Sequence, residues 1–419
     1  MRLLVGFDAL RERRFRLLFA SRTVSVIGGT MADVALAFAV LDIGRPRDLG
    51  FVILAREIPI VVLLLVGGVW SDRLPRHLVL VSTDGVRGAA QAVTAALLVT
   101  GSASVLSVAL LQTLDGSAAA FARPAYQGLV PQVVKSADLQ QANALVGLSN
   151  STVSIAGPAI GAAIVAMSQP GWALAADALT FAVSALLLMR IDLPRTLRIT
   201  GRSMLADFRD GWNEFVSRSW LVAIIIAFGL FQLTYFPALL VLGPYVAKHD
   251  LGGAGAWGTI LSLEAAGALV GGVLALRVRF SRPLIATMLL VLPAGIVLVL
   301  LGLSAPLWSI AGTAFVSGAL FALDGAVWFS TLQKKIPEHA ISRVSSFDWF
   351  GSVALNPIGY ALIGPLSEAI GVGKALVLAG AINLATSLLP LLVPAVRNLR
   401  AGPEPTPEGS VTPLLRGAE

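Results

Sequence analysis

Long apolar stretches, interrupted by short clusters of charge, proline and glycine, give this chain its pattern. From Pro283 to Leu323 there are 41 residues without a charged side chain. As one helix that run would reach roughly 60 Å at about 1.5 Å per residue, twice a bilayer core of about 30 Å. It must therefore fold back once, and Ser304-Ala305-Pro306 supplies the turn. Leu221 to Ala247 and Ala375 to Val396 are further uncharged runs, each the length of about one span. Segmenting the whole chain in this way predicts twelve helices, over residues 17–42, 49–71, 77–100, 104–122, 140–168, 172–190, 219–246, 255–276, 283–303, 306–330, 345–366 and 373–394. The expected fold class is an all-α integral membrane protein with 12 transmembrane helices.

Composition narrows the function. Of the 419 residues, 56% are hydrophobic and 13% charged, where soluble domains carry about 25% charged residues. A soluble enzyme is thereby excluded. No cysteine occurs, which removes disulfides, thiolate metal sites and cysteine nucleophiles. There is no H-E-x-x-H, no G-x-x-x-x-G-K-[ST] and no G-x-S-x-G, so neither a zinc hydrolase, a phosphate loop nor a nucleophile elbow is expected. Cofactors and metals are expected to be absent.

The net charge of +7 matters less than where it lies. If the N-terminus is cytoplasmic, the inner segments hold 24 of the 31 Lys and Arg and the outer loops hold only Arg45, Arg47, Lys248 and Lys374. That asymmetry predicts cytoplasmic termini in a cell-membrane protein, and a bilayer rather than nucleic acid as the partner of the basic residues. Residues 193–218 form the longest polar connection and divide six spans from six. The expected organisation is a first six-helix half over 1–192, a cytoplasmic linker over 193–218, a second half over 219–394, and a disordered tail over 395–419 with Pro403, Pro405, Pro407 and Pro413.

The two halves match weakly but in order. Gly67-Gly68-Val69 aligns with Gly271-Gly272-Val273, Gln127 and Pro131 align with Gln333 and Pro337, and Pro158 answers Pro357. Ordered matches at equivalent places argue for duplication of a six-helix unit.

After the second span comes Gly68-Val69-Trp70-Ser71-Asp72-Arg73-Leu74-Pro75-Arg76-His77. This resembles the loop signature G-x-x-x-D-R-x-G-R-[RK] of the major facilitator superfamily, with Pro75 in place of the usual Gly and His77 in place of the last base. Gly157-Pro158-Ala159-Ile160-Gly161 in the fifth span resembles the antiporter signature G-P-x-x-G-G of proton-coupled drug exporters, with Ala162 replacing the final Gly. Leu139-Gln140-Gln141-Ala142-Asn143-Ala144-Leu145 and Asp177-Ala178-Leu179-Thr180-Phe181 look like the multidrug, macrolide and enterobactin-exporter branch. In the fourth span Gln112 precedes Asp115-Gly116 where exporters often carry an Arg before Gln-Gly, which departs from the family's coupling pattern. The resemblance implies a major facilitator fold of two six-helix halves. It implies a gating loop of Gly68, Asp72, Arg73 and Arg76, with Asp72 meeting the N-terminal end of span eleven near Ser345 and Ser346 as an inner latch. It also implies a bend or hinge at Gly157, Pro158 and Gly161.

Ionisable residues inside spans are costly and each is by default a functional hypothesis. Asp33 and Arg56 are expected at similar depth in the outer half as an ion pair, with Glu57 beside them; the pair serves either as glue between helices or in the site. Arg22, Asp84, Arg87 and Asp115 are expected in the inner halves as a second part of the charge network, acting as scaffold, gate or proton route. Glu264 and Asp324 have no Lys or Arg at comparable depth in their half. A buried carboxyl without a cation is expected to hold a proton, so Glu264, then Asp324, then Asp33, are the candidate coupling acids. Phe228, Phe231, Gln232 and Tyr235 in span seven, with Glu264, Trp328 and Asn356, are the candidate lining of an apolar substrate cavity; packing is the plainer role for such a stripe. The expected activity is secondary active transport by a monomer: proton-coupled export of small amphipathic compounds by alternating access. A lysophospholipid flippase or siderophore exporter is the alternative on the same fold, and a non-transporting membrane sensor or assembly factor the alternative of a different class.

Overall fold

Within a bilayer a chain satisfies its own amides only along a helix or around a closed barrel, and each apolar run here becomes a helix. In the computed structural model, residues 9–71, 75–135, 138–192, 215–336, 344, 345, 348 and 350–401 are described. Among them there is no strand. The helices are α1 (Arg13–Ile43), α2 (Pro46–Ser71), α3 (Arg76–Val99), α4 (Val105–Val133), α5 (Leu139–Met167) and α6 (Pro170–Leu188). After them come α7 (Ser219–Asp250), α8 (Ala254–Ala275), α9 (Pro283–Gly302), α10 (Leu307–Lys335), α11 (Asn356–Ile370), α12 (Val372–Leu388) and the short α13 (Pro394–Asn398). Among the described residues nine helices are long and apolar enough to cross a membrane; α2, α3 and α11 occupy the remaining places of the twelve-span order.

Local chemistry fixes the ends. Ser104 and Ser107 form a capping box at the start of α4, satisfying amides that a helix N-terminus leaves open. The 283–323 run folds back where expected: Ser304 adopts φ 47°, and its hydroxyl donates to Asp250 Oδ2 at 2.7 Å. Pro293, which has no N–H to give, follows a break at Val291 in α9. In α7, Pro237 is followed by one π-helical stretch, Ala238–Leu242. Helix α4 runs on to Val133, well past the expected end at 122, because Pro124 and Pro131 are accommodated inside it. The tail expected to be disordered from 395 begins with order instead: α13 buries Val396, and the Ala401 N–H donates to Ser281 O at 2.9 Å.

The last six long helices repeat the pairings of the first six. As α2 packs on α4, α3 on α6, and α1 on α5 and α6, so α8 packs on α10, α9 on α12, and α7 on α11 and α12. Between the sets, α5 packs along α8 and α2 along α11, which are again equivalent contacts. The largest apolar cluster, including Leu41, Leu49, Val52, Leu242, Val246 and Trp257, spans both sets. It closes the end of the molecule remote from residues 9 and 401, the far end. Two ion pairs tie the sets together there: Lys248 Nζ to Asp42 Oδ1 at 2.6 Å and Arg47 Nη1 to Glu368 Oε2 at 3.5 Å.

Candidate functional site

Beneath that closed end, a cavity of about 300 Å³ lies between the two sets. From α1 it is lined by Asp33 and its neighbours, from α2 by Arg56 and Glu57, and from α5 by Pro158. The opposite wall is apolar and aromatic, with Leu240 of α7, Trp257 and Leu261 of α8, and Tyr360 of α11.

The expected Asp33–Arg56 pair is present, Nη1 to Oδ1 at 2.7 Å. Its surroundings differ from expectation. Arg56 Nε also reaches Asp115 Oδ2 at 3.1 Å, and Asp115 Oδ1 accepts from Arg87 Nε at 2.9 Å. Asp115 was expected deeper, in the inner half, because α4 was drawn too short; on the longer helix it stands at the level of Arg56. One chain of alternating charge therefore runs Asp33–Arg56–Asp115–Arg87 across α1, α2, α4 and α3. Asp115 is fully buried, whereas the Asp33 side chain is 56% exposed and reaches the cavity. Asp84 instead accepts from Ser184 Oγ at 2.6 Å, and Arg22 lies over the Tyr126 ring at 5.0 Å. The Arg87 guanidinium stacks at 4.4 Å on Phe181.

Glu264 is not without a partner: the Tyr235 hydroxyl donates to its Oε1 at 3.0 Å. No cation accompanies it among the described ion pairs. The two sites correspond. Arg56 and Glu264 are each the eleventh residue of α2 and α8, and Asp115 and Ser317 are each the eleventh of α4 and α10. At both crossings a glycine makes the approach possible: a Cβ on Gly116 would run into the Arg56 carbonyl, and one on Gly318 into the Glu264 carbonyl. The first set thus carries Asp33–Arg56–Asp115 where the second carries Tyr235–Glu264, with Ser317 beside it.

The expected cavity lining is divided. Phe228 and Phe231 stack at 5.5 Å, Phe231 meets Tyr235 at 5.2 Å, and Phe321, which the sequence reading passed over, joins the stack at 6.1 Å from Phe231. Phe231, Gln232 and Tyr235 are buried and no member of the stripe is in the lining of the central cavity, so it packs the second set. Trp328 belongs to a separate cluster, edge-on to Trp220 at 6.2 Å and donating to Asp348 at 3.0 Å. Asn356 stands at the start of α11 with its Oδ1 buried. Asp324 is buried facing Thr287 of α9, outside the cavity. Of the opposite wall, Leu240, Trp257, Leu261 and Tyr360 are all absent from the expected lining; Trp257 and Tyr360 are aromatic side chains within spans, a signal present in the sequence.

In α5, Gly157 faces the Thr30 side chain and Gly161 faces the backbone of Met31 in α1. On the other side, Gly258 of α8 leaves room for the Ala162 methyl. The departure from the antiporter signature at Ala162 is thus matched by a glycine on the facing helix. Asp72 and Arg73 lie outside the described residues, as does the latch expected of Asp72; Gly68 falls within α2. Arg76 opens α3, and its Nη1 donates to Gly128 O of α4.

Two interlocked helical sets, a cavity between them with one charged wall and one apolar wall, and closure at one end define a membrane carrier of the major facilitator type. The chain belongs to the transmembrane secretion effector family of that superfamily, whose model matches residues 5–407. It is 26% identical over 411 residues to the enterobactin exporter EntS of Escherichia coli O6:K15:H31 (strain 536 / UPEC), covering 94% of this chain and 96% of that protein. The same exporter from Shigella boydii serotype 18 (strain CDC 3083-94 / BS512) is 26% identical over 385 residues, 88% of this chain and 91% of the relative. Among solved structures, the nucleoside transporter NupG has a TM-score of 0.71 at 12% identity, covering 91% of this chain and 98% of its own. A bacterial homologue of the iron transporter ferroportin in an inward-facing state has a TM-score of 0.68 at 17% identity, covering 90% and 98%. These structures share the fold. The protein is a multi-pass membrane transporter.

Proposed function

We propose that this transporter exports compact, partly apolar compounds in exchange for protons, the six-helix units 1–192 and 219–394 rocking about the central cavity with both termini cytoplasmic. The observation that carries the reading is the exposed Asp33 carboxylate in a cavity walled by both units. Arg56 is already flanked by two carboxylates, so Asp33 and Glu57 leave the polar wall with one negative charge in excess. With Leu240, Leu261, Trp257 and Tyr360 opposite, that wall suits an amphipathic compound bearing a positive charge, since pockets of this kind fix orientation through a few polar groups in an apolar lining. Glu264 is the proton carrier in this scheme: it shares the level of Arg56 but has a hydroxyl, not a cation, for company. A proton on Glu264 removes the cost of its charge in the bilayer, and opening of the units changes its access to water. The sidedness rests on the distribution of Lys and Arg.

Siderophore export is the second reading, favoured by the EntS relatives. Transport into proteoliposomes, with and without a pH gradient, of a monocationic amphipathic dye and of an anionic catecholate separates the two. Gradient-driven accumulation of the dye with exclusion of the catecholate supports the first reading, and the reverse order overturns it. No gradient-driven movement of either, in a panel of such compounds, would favour a sensor.

A further inference from the structure

A second cavity, of about 680 Å³, lies at the end opposite the closed one and entirely within the second helical set. Its lining comes from the end of α8 (Ala275), the α8–α9 connection (Leu276, Val278, Arg279, Phe280), the start of α9 (Pro283), the last turns of α10 and the stretch after α13 (Arg400, Ala401). Helix α8 alone contributes to both cavities, through Ala275 here and through Trp257 and Leu261 at its other end, and the two linings share no residue.

The lining is of two kinds. Arg279, Lys334, Lys335 and Arg400 are its charged members, and among the described lining residues there is no carboxylate. None of the four is in an ion pair between described residues. Leu323, Ala326, Val327 and Phe280 make up the apolar part of the lining, the floor, together with Leu276, which is 81% exposed. Lys334 and Lys335 lie in the last turn of α10, and Leu323, Ala326 and Val327 precede them by about two to three turns of the same helix. Arg400 is brought in by the Ala401 N–H bond to Ser281 O, which closes the chain back over the α8–α9 connection.

We propose that this cavity is a binding site for an anionic phospholipid, the phosphate headgroup held by Arg279, Lys334, Lys335 and Arg400 and an acyl chain laid on the Leu323–Val327 face of α10. Four cations around one cavity with no carboxylate in its lining repel one another unless an anion joins them. A ligand that carries a phosphate on an apolar tail satisfies both halves of the lining, and basic pockets between helices at the cytoplasmic face recognise such headgroups. Free inorganic phosphate satisfies only the cationic half. The site is independent of the substrate proposed above.

The test uses the full-length protein purified in a neutral detergent, with lipid binding followed by native mass spectrometry and by the melting temperature. Phosphatidylglycerol is expected to bind at least about tenfold tighter than phosphatidylcholine of the same chains and to raise the melting temperature; inorganic phosphate at equal concentration is expected not to. The quadruple variant R279Q/K334Q/K335Q/R400Q should lose the preference. Ala326→Trp, at an exposed position on the floor, should weaken phosphatidylglycerol while retaining all four cations, and it keeps the test decisive if the quadruple variant fails to fold. A control lacking Arg13, Arg14 and Arg190 should keep the full preference. Equal binding of the two lipids, an undiminished preference in Ala326→Trp, equal loss in the control, or a response to inorganic phosphate matching that to lipid would each overturn the assignment.

Discussion

Asp115 touches no solvent and sits between two guanidinium groups, Arg56 and Arg87. Removing the shared anion leaves two cations facing each other inside the bilayer, and breaking a buried pair from one side costs about 3–5 kcal/mol. Asp115→Asn should therefore lower the melting temperature in detergent sharply and reduce the yield of folded protein, whereas Asp33→Asn, at the half-exposed end of the same chain, should leave folding intact and remove binding of cationic substrate. Equal melting temperatures for the Asp115→Asn and native proteins would show that Asp115 does not hold the network together. Glu264→Gln keeps size and the Tyr235 hydrogen bond but cannot release a proton. Gradient-driven transport should fail while substrate binding persists and loses its pH dependence; transport against a gradient at the native rate would move the coupling role to Asp324 or Asp33. The Asp33–Arg56 pair was legible in the sequence because both residues stand ten positions from one short turn. The pattern sets Asp115 at another level because the charge and proline at 123 and 124 read as the end of α4, an end that the helix runs through.

At the scale of the element, glycine placement governs how closely helices cross. Helix α5 is pressed between α1 and α8, with Gly161 against Met31 on one side and Ala162 against Gly258 on the other. A methyl on Gly258 would collide with that of Ala162, and overpacking of this kind costs roughly 1–3 kcal/mol. Gly258→Ala should thus impair stability and transport, and Gly258→Ala combined with Ala162→Gly should restore both; thermal melting and a transport assay on the two variants make the comparison. If the double variant is no better than the single, the α5–α8 contact is not set by this pair. The small residues of the α5 motif were recognisable in sequence, but their partners were not, since nothing in one helix's pattern names the helix that will face it.

For the whole molecule, the Lys and Arg count predicts that residues 47 and 374 lie outside and residue 135 inside. The chain has no cysteine, so single cysteines at Arg47, Lys374 and Lys135 can be labelled without background. An impermeant thiol reagent added to intact cells should modify the first two and spare the third; the opposite labelling would reverse the direction of transport proposed here.

The sequence by itself determined the spans, their order and the membrane as solvent, because hydrocarbon demands long uncharged helices and tolerates no exposed amide. It also marked which charges must find partners, since an ionisable group in a span is too costly to stand alone. Only the tertiary structure decided which partners they found. It placed Asp33 and Arg56 on the wall of a cavity, withdrew the Phe228–Tyr235 stripe into packing, sent Trp328 to a different cluster and set Tyr235–Glu264 in the place that Asp33–Arg56 fills in the other set. Those outcomes depend on the rotation of each helix about its axis and on glycine contacts between helices distant in sequence. Hydropathy is nearly the same on every face of a buried helix, so the pattern along the chain carries little record of that rotation.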